Sequence, residues 1–225
     1  MFHVKQKESI MSNKITTLLS CLLILLATIT GLLLWNSLPA SMASHWGAND
    51  VVNGYTSKTW AVFLVPLISL GMLLLFLIIP SIDPLKANIQ KFRGTFNTMI
   101  VLIIAFMVYV HLLTLFWNLG YRSFKMSTAM LPALGLLYIF IGLLISKAKR
   151  NFFIGIRTPW TLSSDSVWDQ TQRLGGILFI AAGLISFLGI FFPENPLWFI
   201  LYPVIAASLI AVLYSYFIYQ KEAKA

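Results

Sequence analysis

Residues 98–117, TMIVLIIAFMVYVHLLTLFW, contain no Asp, Glu, Lys or Arg. A helix of about 20 residues rises roughly 30 Å, the thickness of the hydrocarbon core of a bilayer. A spanning helix pairs its own backbone groups and keeps charges out of the hydrocarbon. The run is therefore predicted to cross a membrane as a helix.

Five further uncharged apolar runs accompany it, at 16–35, 60–80, 129–146, 174–192 and 197–218. Six such runs predict an all-α polytopic membrane protein with six transmembrane helices. Run 16–35 resembles a signal peptide loosely, but it is longer than a signal core, and a retained helix is the preferred interpretation. The start of the chain stays open between Met1 and Met11.

The composition excludes a soluble domain. Only 10% of the residues are charged, against about 25% in soluble proteins, and 59% are hydrophobic. The net charge of +9 would suggest nucleic acid in a soluble protein, but here it indicates cytoplasmic Lys and Arg, and no direct nucleic-acid contact is predicted. Cys21 is the one cysteine, so no intramolecular disulfide forms and a cysteine-based metal site is disfavoured.

Lysine and arginine are distributed unevenly between alternate connections. Thirteen of the 16 lie in the two termini, in connection 81–97 and in connection 147–173. Since positive residues stay in the cytoplasm, both termini and these two connections are predicted to be cytoplasmic. The protein is then a multi-pass protein of the cell membrane, with loop 36–59 outside.

The outer loop is too long for a simple turn and too short for a folded domain. Asn53-Gly54 predicts a turn within it. Its aromatic residues suit the headgroup layer, so it is either a cap anchored by aromatics or a docking surface. His45 and Asp50 are too few ligands for a metal site, and neither a metal nor another cofactor is predicted.

The inner connection 81–97 is interpreted as an interfacial helix. Asp83-Pro84 resembles a helix start, with Asp83 as N-cap and Pro84 in the first turn. Its apolar residues, Ile89 and Phe92, would face the membrane or the bundle, and its basic ones would face phosphates or water. These basic residues are Lys86, Lys91 and Arg93.

The second inner connection contains NFFIGIRTPWTLSSDSVWDQTQR at 151–173. Pro159 keeps Thr158 out of the helical region, so 151–162 is predicted to be extended or looped. Residues 163–174 are predicted to form a short helix that leads into the fifth span. Its N-cap is Ser163, Ser164 or Ser166, and Ser166 with Asp169 forms a capping-box pattern.

Two interpretations of this connection remain open. In the first it is an interfacial elbow, with Trp160 and Trp168 at the headgroups and Arg157 on a phosphate. In the second, Arg157 and Arg173 pair with Asp165 or Asp169 and fix a shape that a partner protein recognises. Small residues further on permit close helix packing, within or between chains. They are Gly175, Gly176, Ala182 and Gly183.

The sequence GIRTPWTLSSDSVW at 155–168, followed by Thr171, Arg173 and Gly175-Gly176, resembles the signature of the SdpI family of bacterial membrane proteins. Loop 36–59 resembles the domain of unknown function DUF1648. The residues that fit it are Leu38, Pro39, His45, Trp46, Gly54, Tyr55 and Lys58. The chain is thus divided into a DUF1648-like segment at 1–97 and an SdpI-like segment at 98–225.

The resemblance implies a function in immunity or signalling. It implies a secreted peptide toxin bound on the outer face and a small cytoplasmic repressor held at the membrane. The expected contacts of the cytoplasmic loop are Arg157, Thr158, Trp160, Ser164, Asp165, Trp168 and Arg173. Those of the outer loop are His45, Trp46 and Lys58. The pattern is not followed everywhere: Asp50 replaces the usual Gly, Asn53 the usual Asp, and Gln172 a common His.

Two other classes of function, a transporter and an enzyme, have less support in the sequence. A transporter or channel for a small solute or ion usually buries ionisable groups in its spans, and only His111 qualifies here. A lone histidine in a span is more often a hydrogen-bonding residue between helices. An enzyme is not predicted, because no HExxH, GxSxG or glycine-rich phosphate loop occurs and the seven acidic residues form no clear catalytic pair.

Overall fold

The computed structural model describes residues 11–47, 49–192 and 194–224. Within these ranges, six helices are long and apolar enough to cross a membrane, which confirms the predicted fold and a multi-pass membrane location. They are α1 Asn13–Leu33, α2 Lys58–Ile82, α4 Arg93–Asn118, α5 Met126–Lys147, α7 Asp165–Leu188 and α8 Pro196–Ala223. Two short helices lie in connections, α3 Lys86–Gln90 and α6 Pro159–Ser163.

Helix α7 corrects one prediction about the fifth span. It begins at Asp165 and continues without a break, so residues 163–174 are not a separate short helix. The reason is that residues 165–174 contain neither Gly nor Pro, and nothing interrupts the helical hydrogen bonds. The polar first turns and the span therefore form one rigid rod.

Residues 41–57 form a β-hairpin, an addition that the sequence did not predict. Strand β1, Ser41–Trp46, pairs antiparallel with β2, Val52–Ser57. The turn expected at Asn53-Gly54 is wrong, because this dipeptide lies within β2. Gly54 sits at a register shift, and a Cβ on it would lie 2.9 Å from the Cβ of His45. The connection between the strands instead contains Asp50, whose φ is 59°.

The spans pack in two groups of three, α1 with α2 and α4, and α5 with α7 and α8. Glycines bring α5 and α7 into backbone contact. A Cβ on Gly142 would lie 2.5 Å from the carbonyl oxygen of Gly176, and a Cβ on Gly183 would lie 2.5 Å from that of Gly135. Gly176 and Gly183 therefore serve packing within the chain.

Hydrogen bonds join the two groups of helices at several levels. The Ser127 N–H donates to Asp50 Oδ1 at 2.8 Å, and the Tyr109 hydroxyl donates to the Ala129 carbonyl at 2.8 Å. At the opposite end Asn88 Nδ2 donates to the Arg150 carbonyl at 2.8 Å. Helix α4 packs with the first group, and the segment boundary at residue 97 stays a prediction.

The bundle has two different ends. The hairpin end comprises β1, β2, the start of α2 and the end of α4. The signature end comprises α3, residues 148–164 and the start of α7. Which end faces the cytoplasm stays a prediction, and Lys5 and Lys7 of the charge count lie outside the described residues.

Candidate functional site

A buried asparagine organises the start of the signature connection, which comprises residues 148–164 between α5 and α7. Asn151 is fully buried, and its Nδ2 donates to the carbonyls of Lys149 and Ile154 at 2.8 and 2.9 Å. Its Oδ1 accepts from the N–H groups of Phe153 and Ile154 at 2.9 and 2.6 Å. One amide thus satisfies four backbone groups of an irregular segment, which would otherwise lose water without compensation.

Asp83 ties the connection after α2 to the signature connection. Its Oδ1 accepts from the Leu85 N–H at 2.6 Å, and its Oδ2 accepts from the Phe152 N–H at 2.9 Å. The prediction that Asp83 is the N-cap of a helix is wrong, because Asp83 lies at the end of α2 as its C-cap and α3 begins only at Lys86. Its carboxylate binds the backbone of Phe152, which is distant in the sequence, and no local sequence pattern predicts this contact.

The rest of the predicted interfacial segment is partly confirmed. Ile89 and Phe92 were expected to face either the membrane or the bundle, and both are buried against the bundle. Lys86 and Lys91 are exposed, and Arg93 is half-buried, with its Nε donating to Asn13 Oδ1 at 3.0 Å. The short helix α3 is therefore part of the packed bundle.

Gln172 fixes the middle of the signature connection. Its Oε1 accepts from the Ile156 N–H at 2.9 Å, and its Nε2 donates to the Ile156 carbonyl at 2.8 Å. The preceding Gly155 has φ of 110°, and a Cβ there would lie 2.7 Å from Gln172 Oε1. A side-chain amide supplies a donor and an acceptor together, which suits this two-way contact with one residue.

Helix α6 corrects the expectation that 151–162 lacks helix. It spans Pro159–Ser163 and starts with a capping box between Thr158 and Thr161. Thr158 itself is extended, as predicted for a residue before proline. Ser164, one of three candidates, is the N-cap of α7 and accepts from the Val167 N–H at 3.2 Å. The Ser166–Asp169 capping box is wrong, since Ser166 lies inside the helix.

The two ion pairs differ from those expected. Asp169 pairs with Lys149 at 3.1 Å, and Asp165 lies 2.8 Å from Arg150 Nε. The uninterrupted start of α7 places both carboxylates beside the residues that follow α5. Arg157 instead donates to the Phe152 carbonyl. Since Lys149 and Arg150 are the partners of the two acids, the predicted pairing with Arg157 and Arg173 is wrong.

The two tryptophans of this end have different roles. Trp168 is fully buried and its Nε1 donates to the Ala148 carbonyl at 2.8 Å, so it is not at the headgroups. Trp160 is half-buried, donates from Nε1 to Ser215 Oγ and contacts the Tyr216 ring at 5.5 Å. Both therefore hold the signature connection against neighbouring helices.

The residues predicted to contact a partner at this end thus fall into two sets, buried or half-buried residues that hold the backbone and exposed residues on the surface. Thr158 and Trp168 are buried, and Trp160 and Ser164 are half-buried, with Ser164 Oγ donating to Glu222 at 2.8 Å. The exposed ones are Arg157, Asp165 and Arg173. Two guanidinium groups and a carboxylate are therefore displayed on a base whose backbone is fixed.

At the hairpin end, Lys58 acts as an internal brace. Its Nζ donates to the carbonyls of Trp35 and Leu38 at 3.0 and 3.1 Å and lies 5.1 Å from the Trp35 ring centroid. The ammonium therefore closes the loop onto the start of α2. A carbonyl pair and an aromatic face together suit a charge held at the edge of a bilayer.

The aromatic side of the hairpin packs against the end of α4. Trp46 contacts Trp117 edge to face at 5.4 Å, and Arg122 lies over the same Trp117 ring at 4.4 Å. Asn118 accepts from the Ala43 N–H at 2.8 Å and donates to the Ala43 carbonyl at 3.0 Å. Sequence reasoning missed Asn118, for which the signal is an amide at the end of an apolar run.

His45 and Asp50 are engaged separately. A ring nitrogen of His45 lies 2.5 Å from Asn53 Oδ1, whereas both oxygens of Asp50 accept from Ser127. Within the described ranges no group of three or more His, Cys, Asp or Glu residues could hold a metal. His45 is exposed, and Trp46 is half-buried.

His111 lies inside the first group of helices. It is 1% exposed and lies beside the Ala27 backbone of α1. A Cβ on Gly31 of α1 would lie 3.8 Å from its Nε2. The imidazole therefore packs against the α1 backbone in an apolar environment.

These features define a class: an integral membrane protein of six spans, with a β-hairpin at one end and a hydrogen-bonded polar scaffold at the other. Residues 147–216 match the SdpI/YfhL protein family, and residues 22–70 match the domain of unknown function DUF1648. The resemblance inferred from the signature is therefore confirmed at these two segments.

A curated relative aligns with nearly the whole chain. The chain is 27% identical to the "Immunity protein SdpI" of Bacillus subtilis (strain 168) over 205 residues, which is 91% of this chain and 96% of the relative. No solved structure matches the chain. The similarity therefore includes both the DUF1648 segment and the SdpI segment.

Proposed function

We propose that the chain is a membrane immunity protein that protects its cell from a secreted peptide toxin. The single observation that carries the proposal is the alignment with an immunity protein over nine-tenths of both chains. In this proposal the hairpin end lies outside and binds the toxin, and the signature end lies in the cytoplasm. The charge distribution between alternate connections supports that orientation.

The hairpin supports a role in recognition because it is braced yet exposed. Lys58 and Asn118 hold it to the bundle, while His45 lies on its surface. Trp46 is partly accessible beside Trp117 and supplies an apolar contact. A rigid surface loses little entropy when it binds, which favours affinity for a peptide.

A protection assay tests this recognition. The wild type is expressed in a bacterium sensitive to an Sdp-type peptide toxin, and its survival is compared with that of the double variant His45→Ala, Trp46→Ala. Ser44→Ala is the matched control, since Ser44 is exposed on the same strand. At equal membrane levels we expect protection from wild type and control alone. Equal protection by the double variant would exclude the side chains of His45 and Trp46 from recognition.

At the signature end we propose a docking surface for a small repressor protein. Arg157, Asp165 and Arg173 are exposed there on a backbone fixed by Asn151 and Gln172. Arginine is enriched among the residues that dominate interface energies, and a fixed backbone keeps its position constant.

Arg157→Ala tests the docking surface. The variant loses an exposed guanidinium whose one hydrogen bond is to the Phe152 carbonyl, so the protein should still reach the membrane. We expect toxin-dependent capture of the repressor on isolated membranes to fall by roughly tenfold or more, the loss typical of an interface arginine. Capture equal to that of wild type would place the docking surface elsewhere.

A transporter of a small solute or ion is the second candidate, and His111 favours it. A buried imidazole within a membrane span is a group that transport proteins use. His111→Leu distinguishes the two functions. If the protein is an immunity protein that binds toxin, His111→Leu should protect fully at equal membrane level. If the protein transports a solute or an ion past His111, the variant should lose protection.

A further inference from the structure

The two strands of the hairpin present different outer edges. Antiparallel strands alternate between pairs that bond each other and pairs whose N–H and C=O groups point outward. Ala43 of β1 belongs to the outward kind, because its N–H and carbonyl both bond the Asn118 side chain. The amide of Asn118 thus occupies the middle of the β1 edge as a neighbouring strand would.

The partner of Ala43 in the ladder is Tyr55, so the N–H and carbonyl of Tyr55 also point outward, on the β2 edge. Ser57 follows Tyr55 by two residues and pairs with Ser41. Because the orientation alternates along a strand, the Ser57 N–H also points outward on the β2 edge. The bond from Lys58 N–H to the Ala40 carbonyl, at 3.0 Å, fits this alternation. Among the described residues, no backbone or side-chain group bonds these three outward groups.

Proteins usually protect such an edge with Lys, Pro or a covering element. The strand β2 reads VNGYTS and contains neither a charge nor a proline. The lysine that follows it, Lys58, directs its ammonium inward to the Trp35 and Leu38 carbonyls. Among the described residues, no charged side chain of β2, proline of β2 or outward-pointing Lys58 therefore protects the unpaired N–H and carbonyl groups of this edge.

The side chains around this edge are uncharged and exposed. Tyr55 is 65% exposed, Val51 59% and Trp60 58%. An exposed strand edge with such neighbours accepts an extended peptide, whose backbone supplies the hydrogen bonds and whose apolar side chains lie on the aromatic ones. A charged segment would gain nothing here, since β2 offers no opposite charge.

We propose that the toxin binds by strand addition: an uncharged, extended segment of it pairs with the outer edge of β2 at Tyr55 and Ser57. The inference rests on the proposed immunity function and adds to it the mode of recognition. The segment would become the third strand of the sheet, with the Tyr55 N–H and carbonyl and the Ser57 N–H as its partners.

Substitution of Tyr55 separates backbone from side chain. Tyr55→Pro removes the outward N–H without touching the β1–β2 ladder, since proline is tolerated on an edge whose N–H faces solvent. Tyr55→Thr keeps the N–H, removes the ring and retains a strand-forming residue. Binding of an Sdp-type peptide toxin to the full chain in lipid nanodiscs should weaken roughly tenfold for Tyr55→Pro and change less than about threefold for Tyr55→Thr.

Hydrogen exchange on the wild type gives a second measurement that needs no variant. Toxin should slow exchange at the amides of Tyr55 and Ser57 and leave that of Ala43, already bonded to Asn118, unchanged. Toxin binding and protection without slowed exchange at 55 and 57, or full affinity of Tyr55→Pro, would overturn strand addition and leave the immunity function standing. Failure of the wild type to bind or protect would overturn the immunity function and this inference with it.

Discussion

Single polar residues decide the shape of the signature end. Asn151 makes four hydrogen bonds to backbone groups of residues 149–154, and Asp83 and Gln172 hold the adjoining N–H groups of Phe152 and Ile156. A backbone without regular structure can be buried only if side chains satisfy it in this way. The fixed part of this surface is therefore its backbone.

Asn151→Ala should destabilise the protein more than its size suggests. The substitution leaves several buried backbone groups without partners, each worth about 1–3 kcal/mol, so we expect the free energy of unfolding to fall by roughly 2–4 kcal/mol. Thermal unfolding in detergent, followed by tryptophan fluorescence, measures it. Gln170→Ala on the exposed face of α7 is the control, and equal melting temperatures for the two variants would contradict the role of Asn151.

At the scale of elements, the spans and the hairpin differ in how far the sequence determines them. Uncharged runs such as 98–117 predict their helices directly, because hydrocarbon permits little else. The hairpin was missed because SMASHW has weak strand propensity and because the residue that bonds its outer edge, Asn118, is 75 residues away from Ala43. Asp83 was misassigned for the same reason: its partner at Phe152 is distant in sequence.

Glycine substitutions in two spans should have opposite effects. Gly142→Ala places a Cβ 2.5 Å from the Gly176 carbonyl oxygen and forces α5 and α7 apart, which should cost about 1–3 kcal/mol. Gly71→Ala in α2 meets no atom within 4 Å and should stabilise its helix by up to about 1 kcal/mol. Melting temperatures of the purified variants measure both effects. A rise for Gly142→Ala would show that the two helices are not in backbone contact.

For the whole molecule, the orientation in the membrane is the central prediction. Cysteine labelling tests it in a chain whose Cys21 is replaced by Ser. Cysteines at Ser163, on the signature end, and at Ser44, on the hairpin, are both exposed and replace residues of similar size. A membrane-impermeant maleimide added to intact cells should label Ser44→Cys and spare Ser163→Cys. Labelling of Ser163→Cys alone would show the opposite orientation, with the hairpin in the cytoplasm.

The hydrogen bonds between the two groups of helices have a consequence for how the gene could be divided. Asp50 with Ser127, Tyr109 with Ala129, Asn88 with Arg150 and Asp83 with Phe152 join residues before position 119 to residues after position 125. They lie at both surfaces of the bundle and between them. We therefore expect two polypeptides encoded separately, one ending and the other beginning within 119–125, to associate in the bilayer through these bonds.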